Sequence, residues 1–521
     1  MTGGLIQLVA TGNQDLYLND VSGINYYKMV YRRHTSFSKE TLIQKFSQKI
    51  DFGGKATCIL SKVGDLISDI SLITTLPKIP SYTENNEGEF KFRKFAWVKK
   101  IGFALIKSIY IDIGGQKIDE LYSDWINIWY ELTGSKTSGF DKMIGNVKEL
   151  TDFTDGKDEY TLYIPLNFWF CGNTGLAIPL MNLIYHDVKV TLELNDSEKL
   201  HLVSPTHSIE LYNDIVNFKK YEFIEQTILN DKAFGIFMGF DSNTKRMYYT
   251  KISNTNFKGV SSASGGQTTE NIINKINSDD YKIIGLDTKY EAYPEQNVYE
   301  LKSNDFVENL SLKNTFLFVE YVYLDNEERL LFRKNNRNKY VIDYTKYSGE
   351  KEISSNNVSI DVSLKNSCVE LFWVAQLKYL NNYGFVGSSS QYFDVFNYTD
   401  SYVYDQNNKY KGNNNVETTE LLFDNNNRLE KKDSFYYNWI QSYQNHSKSP
   451  NQGINIYSFA LNPEELQPSG LCNMSSIDKI TLNMSLNKNI NYSNSCLIRI
   501  YSLNKNILII EDGKGSLEYV P

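Results

Sequence analysis

Leu105 to Ile118 reads LIKSIYIDIGGQKI. Ile109, Ile111 and Ile113 recur at every second position, the period of a strand with one face buried. Gly114-Gly115 then separates this run from Gln116 to Ile118. Two glycines between strand-like runs predict a tight hairpin, because the turns that match strand twist require positive φ. The same period returns in Tyr185 to Leu194, YHDVKVTLEL, where Val188, Val190, Leu192 and Leu194 oppose Asp187, Lys189, Thr191 and Glu193. Further strands are expected over Phe316–Leu324, Val369–Gln376, Gly453–Leu461 and Ser495–Leu503.

Helical signals are few. In Tyr122–Leu132, YSDWINIWYEL, Trp125, Ile128, Trp129 and Leu132 fall on one helical face, with Ser123 as the expected cap. Asp325–Lys334, DNEERLLFRK, reads as a second helix, capped by Asp325 with Glu327 and Glu328 in its first turn. A domain junction is expected there, near 325–340. Three polar stretches, 241–280, 384–390 and 406–427, read as long surface loops. No short fixed repeat is present. Many strands, few helices and long loops in 521 residues predict an all-β chain. Two consecutive eight-stranded antiparallel jelly-roll sandwiches with long loop insertions account for the length.

Composition narrows the function. A net charge of −8 argues against broad binding to nucleic acid, which needs clustered cations to displace counterions; Lys28, Arg32 and Arg33 form the best local basic group. The 38 tyrosines and 28 phenylalanines suit half-buried pleated surfaces and large interfaces. Cys58, Cys171, Cys368, Cys472 and Cys496 are scattered, with no CxxC pair and no Cys/His cluster. They predict free thiols in a reducing compartment, without a zinc site. Met1–Val9 lacks the basic head and apolar run of a signal peptide. Tyr163–Tyr185 carries no charge over a bilayer-spanning length, but its prolines, glycines and asparagines argue against a membrane helix.

Several phrases in both halves resemble the major capsid proteins of nucleocytoplasmic large DNA viruses. They are Gly3–Phe37 (GGLIQLVATGNQDLYLNDVSGINYYKMVYRRHTSF), Ile113–Glu131 (IGGQKIDELYSDWINIWYE) and Tyr163–Val188 (YIPLNFWFCGNTGLAIPLMNLIYHDV). Val319–Phe332 (VEYVYLDNEERLLF), Val369–Gln376 (VELFWVAQ) and Tyr457–Asp478 (YSFALNPEELQPSGLCNMSSID) continue the likeness. The resemblance implies a double jelly roll, and a homotrimeric capsomer of pseudo-sixfold outline that tiles an icosahedral shell over an internal membrane. Implied partners are neighbouring capsomers and minor capsid and penton proteins, with no direct specific nucleic-acid binding and no cofactor. Implied location is the virion, after assembly in the host cytoplasm. Expected domains are an arm over 1–24, a first jelly roll over 25–327 with an insertion around 195–310, a linker helix over 328–340 and a second jelly roll over 341–521. Ser476 departs from the family, which usually places Arg before the Ile-Asp of that phrase. The 195–310 region is longer than the family core and is expected to form an outward loop or tower.

No catalytic, cofactor or metal residue is assigned, and the chain is expected not to be an enzyme. Cys171 with His186 and Asp187 would make a nucleophile set only in mutual contact; paired core strands explain the residues more simply. Gly114-Gly115 matches neither phosphate-loop pattern. Asp424–Asp433, DNNNRLEKKD, lacks the glycine and terminal Glu of a calcium loop. Eight Asn-x-Ser/Thr sequons (Asn195, Asn309, Asn357, Asn397, Asn445, Asn473, Asn483, Asn491) read as accidents of an Asn-rich chain, with virus-directed glycosylation of exposed loops as the alternative. Gln467–Gly470 reads as a turn bracing the fold or a subunit contact. The arm is expected either to thread under neighbouring subunits or to pack on its own barrel. The alternative function is a carbohydrate-binding or carbohydrate-active β-sandwich, which would show a carboxylate pair across a groove or an aromatic platform.

Overall fold

The computed structural model describes residues 34–81, 92–134, 138–228, 231–253, 255–259, 281–295, 298–301, 310–334, 337–378, 394–400, 412–492 and 494–519. The whole arm over 1–24, the basic group at Lys28, Arg32 and Arg33, the 384–390 loop and Asn309 lie outside these residues.

Among the described residues, sixteen strands build two sandwiches of the same topology. In the first they are β1 (Phe37–Lys45), β2 (Lys55–Ile59), β3 (Leu66–Leu76), β4 (Ile106–Ile113), β5 (Gln116–Tyr122), β6 (Tyr160–Pro165), β7 (Val188–Leu194) and β8 (Lys313–Leu324). One sheet has the order β1-β8-β3-β6 and the other β2-β7-β4-β5, all antiparallel. The second comprises β9 (Arg337–Ile353), β10 (Asn357–Asp361), β11 (Ser367–Leu377), β12 (Val416–Phe423), β13 (Asn426–Asp433), β14 (Ile454–Ser458), β15 (Ile480–Leu486) and β16 (Cys496–Glu511). Its sheets run β9-β16-β11-β14 and β10-β15-β12-β13. Adding eight to each strand number of the first sandwich gives the second, so the chain is a double jelly roll.

Alternation explains the individual strands. Ile109, Ile111 and Ile113 of β4 are buried, as are Val188, Val190, Leu192 and Leu194 of β7. Gly114 (φ 61°) and Gly115 (φ 85°) form the expected left-handed turn between β4 and β5. Helix α1 (Ser123–Thr133) buries Trp125, Ile128 and Leu132. Its expected cap is a correction: the Ser123 hydroxyl donates to the Phe103 carbonyl at 2.9 Å, and Tyr122 occupies the cap position. Helix α2 (Asn326–Lys334) is capped by Asp325 as expected, with the Glu328 N–H donating to its carboxylate at 2.9 Å.

Two loop expectations are corrected in part, residues 254, 260–280 and 406–411 lying outside the described residues. Arg246–Lys251 is a strand inside 241–280, and β12 lies inside 406–427. In β12, Val416, Thr419 and Leu421 turn inward, a short apolar pattern that the flanking asparagines obscure. Tyr163–Tyr185 supplies the end of β6 and the buried Phe168, Trp169 and Phe170; among the described residues no helix is long and apolar enough to cross a membrane.

The connections divide by end. The connections that follow β1, β3 and β7 meet at one end of the first sandwich: the Gly53 N–H donates to the Asn195 carbonyl, the Asn195 N–H to the Leu105 carbonyl, and the Leu312 N–H to the Asp51 carboxylate. Residues 60–65, 114–115 and 183–187 meet at the other, where the Gly114 N–H donates to Asp187 and that of Asp65 to Val322. Large insertions leave from the first end. The largest lies between β7 and β8; its described residues form a seven-stranded antiparallel sheet between His207 and Glu300, with a core of Ile209, Leu211, Phe218, Ile224, Met247 and Tyr249.

The β4–β5 turn yields a graded test. A methyl group at Gly115 meets open space, whereas one at Gly114 runs into the His186 ring, whose Nδ1 lies 3.1 Å from the Gly515 carbonyl oxygen. Gly115→Ala should cost about 1 kcal/mol. Gly114→Ala should cost about 3 kcal/mol, because it adds displacement of His186. Urea unfolding midpoints of the two variants check the order.

Candidate functional site

The features that join the two sandwiches concentrate along one seam. The sheet β9-β16-β11-β14 is apolar on both faces. Cys368, Leu371, Trp373 and Ala375 of β11 and Ile498 and Ile500 of β16 point into the second sandwich's own core. Val369, Phe372, Val374, Tyr501 and Leu503 point the other way and join the core of the first sandwich. Against them lies α1, which leaves β5 and carries Trp125 onto this face. The Trp125 ring sits 5.0 Å edge-on to Phe372 and stacks on Trp129 at 5.6 Å. Tyr347 and Tyr501 stack at 4.9 Å, with Tyr122 of β5 beside them at 4.9 Å from Tyr347.

A polar network is set inside this apolar seam, buried at Arg499 and reaching solvent at Glu350. Arg499 of β16 donates from Nη1 to Asp124 of α1 at 3.0 Å and to the Gln376 side-chain oxygen at 3.1 Å, and from Nε to Glu350 at 2.6 Å. The Tyr398 hydroxyl donates to the second Asp124 oxygen at 2.7 Å. Burial opposes the guanidinium charge, but Asp124 and Glu350 outweigh it and keep the group cationic. Asp119 of β5 accepts from the Thr345 N–H of β9 at 2.9 Å. Burial pushes its carboxyl up to about 7, against the two backbone N–H bonds that favour its ionised form. His446, between β13 and β14, faces Glu370 at 3.1 Å and Glu464 at 3.0 Å and packs edge-on against Trp129. Burial works to neutralise it, yet bonds to both carboxylates raise it to about 9.

The lean end adds a second clasp. A hairpin returns from β16 through Lys514–Leu517. The Tyr185 N–H donates to the Gly513 carbonyl at 2.9 Å, and the Leu517 N–H to the Gln116 side chain at 3.0 Å. Helix α2 bridges nearby, with Arg329 paired to Asp65 at 2.8 Å.

The motifs weighed from sequence are not brought together. Cys171 hydrogen-bonds Asp69, and burial pushes its thiol far up; His186 faces Gly515, and Asp187 pairs with Lys62 at 3.1 Å. Asp424 and Asp433 sit beyond and at opposite ends of β13, accepting from the backbone N–H groups of Lys479 and Tyr436. Asn397 is fully buried, its side-chain oxygen accepting from Thr399, so that sequon is closed. The Ser469 hydroxyl of the Gln467–Gly470 turn accepts from the Asn462 N–H at 2.9 Å, a brace within the fold. Ser476 is exposed. Sequence reasoning missed Asp119, Asp124, Glu350 and Arg499. The one available signal was Arg499 itself, a charge inside the otherwise apolar run CLIRIYSL.

Comparison with known proteins places this architecture. Residues 25–225 match the family described as major capsid protein N-terminus, and residues 328–516 the family described as large eukaryotic DNA virus major capsid protein. Probable capsid protein 4 of Acanthamoeba polyphaga mimivirus is 39% identical over 520 residues, spanning 100% of this chain and 99% of that relative. The major capsid protein of Phaeocystis pouchetii virus is 29% identical, covering 100% of both. The Faustovirus major capsid protein has a TM-score of 0.63 at 11% identity, covering 96% of this chain and 94% of that one. A chain of the PBCV-1 virus capsid quasi-atomic model has a TM-score of 0.60 at 19% identity, covering 95% and 100%. At such identities these two structures speak for fold alone.

Two substitutions test the seam. Arg499→Met leaves the largely buried Asp124 without its guanidinium partner, while the exposed Glu350 regains water, and should cost about 3 kcal/mol, read as the first unfolding transition in urea. Asp119 has a folded value raised above its ordinary 3.8. Its stabilising contribution is therefore complete below about pH 4 and is lost as the pH rises through about 7. Asp119→Asn removes that loss. The stability of the variant relative to the parent should rise between about pH 4 and pH 8, by on the order of a few kcal/mol.

Proposed function

The chain belongs to the major capsid protein family of large eukaryotic DNA viruses, and on that premise we propose that three copies close into a ring, a pseudo-hexagonal capsomer that tiles an icosahedral shell. The protein is a structural component of the virion and not an enzyme. The observation that carries the ring is an uncovered counterpart of the seam. Within one chain, α1 and β5 of the first sandwich cover the outer face of sheet β9-β16-β11-β14. The equivalent sheet of the first sandwich, β1-β8-β3-β6, leaves Phe37, Ile43 and Tyr163 exposed, with Phe316 and Phe318 half-buried beside them. The second sandwich has its own helical segment in the position equivalent to α1, Tyr436–Ile440 followed by Gln441–Asn445. It too presents uncovered apolar groups, Phe435, Ile440 and Tyr443.

In this reading the second sandwich of one copy covers the first sandwich of the next, repeating the internal seam. Three chains then supply six sandwiches in a closed ring, which leaves no free face to propagate into filaments. The division of the chain follows the same reading: an arm over 1–24, a first jelly roll with 195–310 inserted, a linker helix at Asn326–Lys334 and a second jelly roll from Arg337 onward, in place of the expected helix over 328–340 and boundary at 341. The decorated end faces outward. The lean end, with its short connections, faces an internal membrane and minor capsid proteins, while neighbouring capsomers and penton proteins meet the flanks. Five free cysteines fit assembly in a reducing host cytoplasm, and the net charge of −8 fits the absence of direct genome binding.

Native mass spectrometry should give a species of three times the 60.2 kDa chain mass. Ile43→Asp and Tyr443→Asp should each yield a folded monomer, because each places a charge at the same repeated contact. A trimer that survives both substitutions would refute this assignment of the interface.

A further inference from the structure

We infer that Cys368 and Cys472 are the two halves of an intramolecular disulfide that closes when the protein meets a disulfide oxidant. Cys368 lies in β11, and Cys472 in the two-residue strand Cys472–Asn473 that precedes β15. The two strands are antiparallel with Cys368 directly opposite Cys472 and Ser367 opposite Asn473. Directly opposed residues project their Cβ atoms from the same face, with Cα atoms about 4.5–5.5 Å apart. That range falls within the roughly 4.4–6.8 Å that a disulfide spans.

Both side chains pack at the same core, Cys368 fully buried and Cys472 partly exposed. The remaining cysteines have other strand partners: Cys58 pairs with Val190, and Cys496 with Ile353 and Leu377. Cys171 is occupied with Asp69. The segment carrying Cys472 is already seated on β11, with the Met474 N–H donating to the Asn366 carbonyl and the Phe459 N–H to the Val369 carbonyl, both at 2.9 Å.

The chemistry balances with oxidised glutathione as the oxidant. The more accessible Cys472 thiol loses its proton and attacks one glutathione sulfur, forming a mixed disulfide and expelling a glutathione thiolate. The Cys368 thiol gives up its bond to the Glu370 carbonyl (3.2 Å), loses its proton and attacks the Cys472 Sγ, expelling the second glutathione. Two protein thiols are oxidised and one glutathione disulfide is reduced to two thiols. Burial raises both thiols above their ordinary value, so closure is slow at neutral pH and quickens toward pH 9. The bond is internal to one chain, so it is independent of how many copies assemble. It would fasten the 459–479 connection to β11 once the protein leaves a reducing compartment.

The test treats the native, fully reduced protein with oxidised glutathione at pH 8.5 and blocks residual thiols with N-ethylmaleimide before tryptic mass spectrometry. The expected result is loss of two of the five thiols, with peptide 366–378 linked to peptide 449–479. Under the same treatment Cys472→Ser should retain all four remaining thiols. Five blocked thiols, glutathione held at Cys472 alone, or a disulfide joining any other pair would each overturn the inference. The parent readout stands even if the variant fails to fold.

Discussion

Burial of sheet β9-β16-β11-β14 on both faces is the constraint on which the rest of the chain depends. A sandwich sheet ordinarily hides one face and wets the other. Here the outward side chains Val369, Phe372, Val374, Tyr501 and Leu503 join the core of the first sandwich, while their neighbours fill the second. At about 25 cal/mol per Å² of apolar surface removed from water, separating the sandwiches would uncover several large side chains at once. The two jelly rolls therefore hold as one body. That in turn gives each chain a fixed pair of flanks to present to other copies.

Apolar burial supplies attraction but little direction, and the polar network supplies the direction. A face of Phe, Val and Tyr would tolerate sliding by a residue or two. Arg499 does not, because its fork must meet Asp124, Glu350 and Gln376 together. Such a buried ion cluster contributes little net stability relative to well-packed apolar groups, since desolvation offsets most of the Coulomb gain. Its effect is on register. Asp119 acts in the same way on a smaller scale, as an acceptor that only the Thr345 N–H of the facing strand fills from across the seam.

Legibility in the sequence follows from this division. β4 and β7 were readable because each hides one face, so Ile109, Ile111 and Ile113, or Val188, Val190 and Leu192, stand out at period two. The Gly114-Gly115 turn was readable because only positive φ suits it. β16 was half readable: its first residues, CLIRIYSL, gave a strand, but a strand buried on both sides loses its alternation, and its extension to Glu511 through Asn504, Lys505 and Asn506 was hidden. β12 was lost among asparagines. Ser123 looked like a cap because of its position, yet the Phe103 carbonyl holds its hydroxyl. The seam was not readable at all. Asp119 and Thr345 are 226 residues apart, and Asp124 and Arg499 are 375 apart, so no local spacing links them. The resemblance to viral capsid proteins carried the architecture, but it named none of these residues.

The unequal ends of the molecule follow from where the seam and clasp lie. At the lean end, the Lys514–Leu517 hairpin rests on His186 and Gln116, and Arg329 of α2 holds Asp65. An insertion into the short connections there would push apart contacts that tie one half of the chain to the other. At the β7–β8 connection both strand termini are already fixed in separate sheets, and the insertion makes its own contact with the other half, Ile252, Phe223, Phe234 and Ile236 packing against the core of the second sandwich. Lengthening a connection between fixed points adds only a logarithmic entropy cost. A stretch as long as 195–312 can therefore be accommodated, provided that it buries its own apolar surface, as Ile209, Ile224, Met247 and Tyr249 do. Sequence is thus free to diversify at one end while the other stays bound to the geometry that makes the chain a building block.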